Sequence, residues 1–179
     1  MMAMHHEIQQ NVLEEIENVI GLSNEEVDYE ILNRLTYLEM VIKESMRLFP
    51  VLPLIGRHCS KNTELKKCII PAGASIMINI FKTQRSVKNW GDDAHLFNPD
   101  RFLPENFSKI HPYAFIPFSG GPRICIGLKY AMNVMKIVLV HFLRNYEITT
   151  SLKYEELEMK IAISLKISQK YMIQIKKRN

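Results

Sequence analysis

The chain has 179 residues, 47% hydrophobic and 23% charged, with a formal net charge of +4. Those proportions belong to a packed globular body rather than a disordered tail, and so modest a charge gives no reason to expect a nucleic-acid partner. The three cysteines are odd in number and include no Cys-x-x-Cys pair, which argues against a disulfide framework or a zinc site.

In chain order, residues 5–20 read as an amphipathic helix that Gly21 terminates. A short helix is expected over Tyr29 to Leu35. Thr36-Tyr37-Leu38-Glu39 has the form of a capping box, so a longer helix should begin at Tyr37. It should end before Pro50, which biases Phe49 away from helix. Leu38, Val41, Ile42, Ser45 and Leu48 form its mainly apolar stripe. Glu44 and Arg47 stand three apart and off that stripe, so their side chains should meet; in isolation such a pair is usually a solvated surface contact.

From Leu54 to Met77 the pattern changes to short strands: Ile55 to Cys59, Lys67 to Ile70 before Pro71-Ala72-Gly73, and Ser75 to Ile80. Cys59 and Cys68 flank a polar turn and could face each other across a hairpin, with free thiols the expected state. Residues 82–117 carry few periodic elements, and an irregular stretch of that length usually marks a functional segment. Near the C-terminus Met159, Ile161, Ile163, Leu165 and Ile167 alternate with polar or small residues, and Tyr171, Ile173 and Ile175 resume the alternation after Gln169-Lys170. Two strands joined by a tight polar turn are expected there. The chain contains no repeat, no run near the ~18 apolar residues of a membrane span, and no signal peptide at Met1-Met2-Ala3-Met4-His5-His6. The fold class is therefore mainly α with small β-sheets.

The most informative stretch is Phe118-Ser119-Gly120-Gly121-Pro122-Arg123-Ile124-Cys125-Ile126-Gly127. It sets one cysteine on a glycine-rich loop, with an arginine two residues before it and a glycine two after. The apolar run from Ile126 to Leu143 follows, with residues 128, 131, 132, 135, 139 and 142 at helical spacing, so Cys125 lies at or just before a helix N-terminus. The dipole and free N–H groups there favour thiolate over thiol, and a thiolate is an axial ligand suited to haem iron. Gly121 and Gly127 allow close backbone approach, Arg123 can pair with a propionate, and Phe118 provides an apolar wall.

The pattern Phe-x-x-Gly-x-Arg-x-Cys-x-Gly resembles the haem-binding signature of the cytochrome P450 haem-thiolate monooxygenases. Lys43-Glu44-Ser45-Met46-Arg47 and Phe97-Asn98-Pro99-Asp100-Arg101-Phe102 resemble the same family's other two signatures, in the right order. The resemblance implies that Glu44, Arg47 and Arg101 form a buried triad pinning the segment before the cysteine loop. It also implies Cys125 as the axial ligand of haem b and a second propionate contact at Arg57. Val51, Leu52, Leu54 and Ile55 would then form part of the substrate wall. Lys129 and Lys136, on the helix after Cys125, read either as solvated lysines or as a dock for an acidic electron-donor protein. Two positions depart from the usual pattern: His6 replaces a proline, and Phe81-Lys82-Thr83-Gln84-Arg85 replaces a His-Arg arrangement.

The resemblance runs from about His5 to Lys177 and covers only the C-terminal part of a family member. The expected domain is therefore residues 1–179 as a partial cytochrome P450 domain, without the long oxygen-binding helix, its proton-delivering pair or the membrane anchor. Segments such as Trp90-Gly91-Asp92-Asp93-Ala94 look most like microsomal animal members of the clan with fatty-acid hydroxylases. The implied activity is insertion of one oxygen atom from O2 into a small apolar substrate. Electrons would come from NADPH through NADPH–cytochrome P450 reductase, at the cytosolic face of the endoplasmic reticulum membrane in the full-length form. The alternative is a truncated remnant without turnover. For the chain on its own, the stripe Leu38-Val41-Ile42-Leu48 and the apolar faces of the helix after Cys125 should lie exposed together, leading to aggregation.

Overall fold

A computed structural model describes residues 1–21, 27–169 and 172–178. Its order is α1 (His6–Ile20), α2 (Tyr29–Arg34), α3 (Thr36–Leu48), β1 (Leu54–His58), β2 (Thr63–Leu65), β3 (Cys68–Ile70), β4 (Ser75–Asn79), α4 (Ile80–Thr83), α5 (Val87–Trp90), α6 (Pro104–Phe107), α7 (Leu128–Asn145), β5 (Tyr146–Thr149), β6 (Met159–Ile161), β7 (Leu165–Ile167) and β8 (Gln174–Lys177), with short 3-10 turns between. The fold is α+β. Among the described residues the strands form two-stranded antiparallel sheets, β1 with β4, β2 with β3, β5 with β8 and β6 with β7.

The main core is made where α1, α2, α3 and α7 meet. Val12, Ile16, Leu35, Leu38, Val41, Val140 and Leu143 are essentially without solvent contact there. This corrects one expectation. Leu38, Val41 and Ile42 are buried within this chain because α1 and α7 cover that face of α3, and Leu48 is buried as well. The outer face of α7 does stay open, with Tyr130, Val134 and Val138 exposed one turn apart.

The start of α3 also differs from the capping box. Thr36 is already the first helical residue, and no side chain at the preceding Leu35 caps the helix. The free N–H groups of Tyr37 and Leu38 instead donate to the two carboxylate oxygens of Glu15, at 2.7 and 2.8 Å, and Thr36 Oγ1 donates to Glu15 at 3.1 Å. A carboxylate from α1 thus does the work of an N-cap and also places charge at the positive end of the α3 dipole.

Lys136 is corrected as well. It is 3% exposed and donates to the Leu32 carbonyl at 2.8 Å and to Glu39 at 2.7 Å, while Lys129 is exposed. Buried with its charge paired, Lys136 offers nothing to a docking protein. Lys43 reaches the other oxygen of Glu39 at 2.7 Å. Burial pulls the Glu39 carboxyl upward, but hydrogen bonds from Lys136 and Lys43 outweigh it, and the group titrates below its ordinary range.

At the C-terminus the expected pair of strands becomes two separate pairings. β6 and β7 close their own hairpin across residues 162–164, whereas β8 returns to β5, Tyr146 opposite Lys177. Lys170 and Tyr171 lie outside the described residues. The sheet β5–β8 is fixed to α1 by Gln9, whose amide bonds both the N–H and the carbonyl of Ile148 at 3.0 and 2.7 Å. Cys59 and Cys68 do not face each other: Cys68 pairs with Leu65, Cys59 is buried with Sγ 3.0 Å from the Lys61 carbonyl, and both thiols are free.

Candidate functional site

The expected irregularity of residues 82–117 is found, broken only by short helical turns, and two arginines satisfy carbonyls within it. A segment without regular structure leaves carbonyls that need donors once they are buried. Arg47 Nη1 donates to the carbonyls of Gln84 and Ala94, at 2.9 and 2.7 Å, and Nη2 to that of Leu96 at 3.1 Å. Arg101 donates to the carbonyls of Trp90 and Asp93, at 2.8 and 2.7 Å. The planar fork of arginine lets one side chain serve several partners at once.

Glu44 and Arg47 are wholly buried and joined by two hydrogen bonds, Nε to Oε2 at 2.6 Å and Nη2 to Oε1 at 2.8 Å. Glu44 Oε1 also accepts from the Asn98 N–H at 2.8 Å. Arg101 Nε stands 3.7 Å from the same oxygen, an ionic contact too long for a hydrogen bond. Its Nη2 meets Asp93 at 2.7 Å, and that hydrogen bond holds the Asp93 carboxyl below the usual range. The indole of Trp90 lies under the Arg47 guanidinium, 5.0 Å to the ring centre, and belongs to a second small core with Met40, Ala94, Phe102 and Ala114.

Beyond this scaffold the chain runs through Phe115 and Ile116 into the cysteine loop. Phe115 packs edge-on against Phe102, 4.8 Å between ring centres. Ser119 takes a left-handed backbone (φ 66°), the one described non-glycine residue to do so, and Gly121 follows at φ 71°. Such angles suit glycine far better than a residue with a side chain. A methyl at Gly120 would stand 3.1 Å from the Tyr113 ring, a tight approach that the ring would have to yield to. At Gly127 a Cβ would meet only Cys125 Sγ at an ordinary 3.7 Å, so nothing within the chain itself demands glycine there. The loop closes on itself where the Cys125 N–H donates to the Phe118 carbonyl at 2.9 Å. Cys125 is exposed and free, and α7 begins three residues later at Leu128.

The expected residues converge on one open cleft of about 410 Å³. Its lining includes Val51, Leu52, Ile55, Arg57, Phe118, Arg123 and Cys125. Leu54 does not line the cleft: side chains alternate along β1, so it projects to the face opposite Ile55 and Arg57. Gly121 shapes the loop without lining the cleft. Ile80, Pro117 and Ser119 line it too, and sequence reading passed over them. Ser119 Oγ accepts from Arg57 Nη2 at 2.7 Å, which fixes the guanidinium over the loop. Arg123 forms no ion pair among the described residues. One thiol, two guanidiniums and an apolar wall around an open cleft are the donor set for a flat, largely apolar macrocycle with two carboxylates, so the residues present fit a haem. No helix among the described residues is long and apolar enough to cross a membrane.

Comparison with known proteins agrees with this chemistry. Residues 1–175 match the family model described as "Cytochrome P450". Three similar proteins from Drosophila melanogaster are "Probable cytochrome P450 313a4" at 38% identity, "Probable cytochrome P450 313a1" at 40% and "Probable cytochrome P450 4ac1" at 37%. Each comparison covers 99% of this chain and 35–37% of the relative, so the chain spans about a third of the length of those proteins. With 175 of its 179 residues matched to the family model, the chain belongs to the cytochrome P450 family of haem-thiolate monooxygenases.

Proposed function

We propose that this chain carries the haem-thiolate site of a monooxygenase that inserts one oxygen atom of O2 into a small apolar substrate. The observation that carries the reading is the single cleft in which the Cys125 thiol, the Arg57 and Arg123 guanidiniums and an apolar wall meet. Cys125 would give its thiolate to the iron of haem b, and Arg57 and Arg123 would each hold one propionate. Phe118, Gly121 and Gly127 would shape the loop around the sulfur. Bound there, haem supplies the dioxygen chemistry, with one oxygen atom going to the substrate and the other to water. NADPH supplies the electrons through NADPH–cytochrome P450 reductase.

The chain's own residues orient and exclude. Ser119 holds Arg57 in place, while Val51, Leu52 and Ile55 offer an apolar surface that would keep water from a substrate lying against it. Glu44, Arg47 and Arg101 would keep the 84–98 segment folded beneath the loop. Lys129, exposed at the start of α7, is the candidate contact for the reductase now that Lys136 is buried. Resemblance to microsomal members supports an endoplasmic-reticulum membrane location for a full-length form. The test is haem titration of the full chain, followed by NADPH-dependent product formation with the reductase. Arg57→Ala and Arg123→Ala should each weaken haem binding about tenfold, the effect of one lost charge-assisted contact. Unchanged haem affinity in both would remove the propionate roles. Haem binding without product would favour the non-catalytic alternative.

A further inference from the structure

Among the described residues, no side chain of the Glu44–Arg47–Arg101 cluster hydrogen-bonds the cysteine loop. Among the same residues, every side-chain hydrogen bond that Glu44, Arg47 and Arg101 make outside the triad ends on residues 84–98. Among the described residues the polar link onward is Gln84, which is completely buried. Its Nε2 donates to the Met46 and Arg47 carbonyls in the last turn of α3, at 2.9 and 3.2 Å, and its Oε1 accepts from the Ile116 N–H at 2.8 Å. Its own carbonyl takes the Arg47 guanidinium at 2.9 Å. The next link follows at once, since the Ile116 carbonyl accepts from the N–H of Ser119, the left-handed residue whose hydroxyl holds Arg57.

We infer that Gln84 is the positioning residue of the cysteine loop, joining the Glu44–Arg47 pair to the root of the loop and so setting where Ser119, Arg57 and Cys125 stand. This rests on the haem-thiolate reading only for its spectroscopic consequence. The amide is chemically suited to the post. Two carbonyls need donors and one N–H needs an acceptor, and a primary amide supplies both from one planar group. An apolar side chain of the same length would leave all three groups without this partner, the Arg47 carbonyl and the Ile116 N–H in full burial. Aromatic packing of Phe115 also holds the loop, so losing Gln84 should loosen the loop's seat without unfolding the chain.

The experiment compares the wild-type chain with Gln84→Met, Gln84→His and Leu32→Ala, the last a core truncation remote from the loop. In the haem-free chain, hydrogen exchange at the Ile116, Ser119 and Cys125 amides should rise about tenfold in Gln84→Met, the effect of one lost buried bond, with α1 and α7 amides little changed. Leu32→Ala should show the reverse distribution. Gln84→His, neutral at about pH 8 and able to give one donor and one acceptor, should recover much of the protection. In the haem-loaded chain, Gln84→Met should hasten conversion of the ferrous–CO complex from its thiolate-type to its thiol-type Soret band. Loop exchange in Gln84→Met no faster than in wild type would overturn the inference. A wild-type chain without the thiolate-type band would instead sink the haem reading, leaving the exchange result to decide the role of Gln84.

Discussion

Glu44 and Arg47, one helical turn apart, face each other in complete burial through two hydrogen bonds of 2.6 and 2.8 Å. A pair of that kind on a helix surface contributes little, but a buried one is costly to break, because the surviving charge is left without a partner. Glu44→Ala or Arg47→Ala should lower stability by about 3–5 kcal/mol, a large share of the ~5–15 kcal/mol of a typical domain. Glu17→Ala, on the exposed face of α1, should change little. Urea unfolding of the three variants checks this, and a wild-type midpoint for Glu44→Ala would return the pair to the solvated reading.

The cap of α3 comes from another helix. Glu15→Ala should cost about 1–2 kcal/mol, the upper part of the range for a lost N-cap, and should speed amide exchange at Tyr37 and Leu38. Thr36→Ala removes only one exposed hydrogen bond and should cost less than half a kcal/mol, as an ordinary surface change does, ~0.5 kcal/mol at most. Equal losses in the two variants would contradict the assignment of the cap to Glu15.

What the sequence made readable was local. The i,i+3 spacing brought Glu44 to Arg47, the apolar period drew α1, α3 and α7, and the cysteine with its flanking Arg and Gly residues marked the loop. Interactions between residues distant along the chain were not readable. Thr36 and Glu39 have the form of a capping box, yet the carboxylate that caps α3 belongs to Glu15, and only the packing of α1 across α3 brings it there. Gln84 looks like an ordinary polar residue in an irregular stretch until Met46, Arg47 and Ile116 are seen around it. Lys136 could have been caught, since it falls one turn after Met132 and one before Val140, on the side of α7 that meets the core. The alternation at the C-terminus correctly signalled strands but could not reveal that β8 would choose β5 over its nearer neighbours.

Glu39 gives the chain an acid-sensitive joint. Its folded carboxyl titrates below the ordinary value of 4.5, so its contribution to stability is fully present above that value and is lost as pH falls through the depressed folded pKa. Protonation also takes the counter-ion from buried Lys136. Glu39→Gln should therefore be less stable than wild type at neutral pH, and the difference should shrink as pH drops below about 4.5, the ordinary glutamate range. Chemical unfolding at a series of pH values measures it. A gap that stayed constant down to the acid limit would assign the loss to packing rather than to charge.

Ser119 should matter more than its small side chain suggests. Ser119→Ala keeps the backbone but frees Arg57 from its 2.7 Å partner, so haem affinity should fall severalfold, by less than for Arg57→Ala. Ser119→Gly should relieve the left-handed strain at φ 66° and stabilise the loop by up to about 1 kcal/mol, while losing the same hydroxyl. The two variants together separate strain from positioning. Equal haem affinity in wild type and Ser119→Ala would show that Arg57 needs no such support.

The assignment of Cys125 as the haem ligand is tested most directly by the ferrous–CO spectrum of the haem-loaded chain, measured for wild type, Cys125→His, Cys59→Ser and Cys68→Ser. The expected result is a strongly red-shifted Soret band in wild type and in both serine variants, and its complete loss in Cys125→His, since that band requires thiolate donation to the iron. A red-shifted band surviving in Cys125→His, or vanishing in Cys59→Ser or Cys68→Ser with the fold intact, would contradict it.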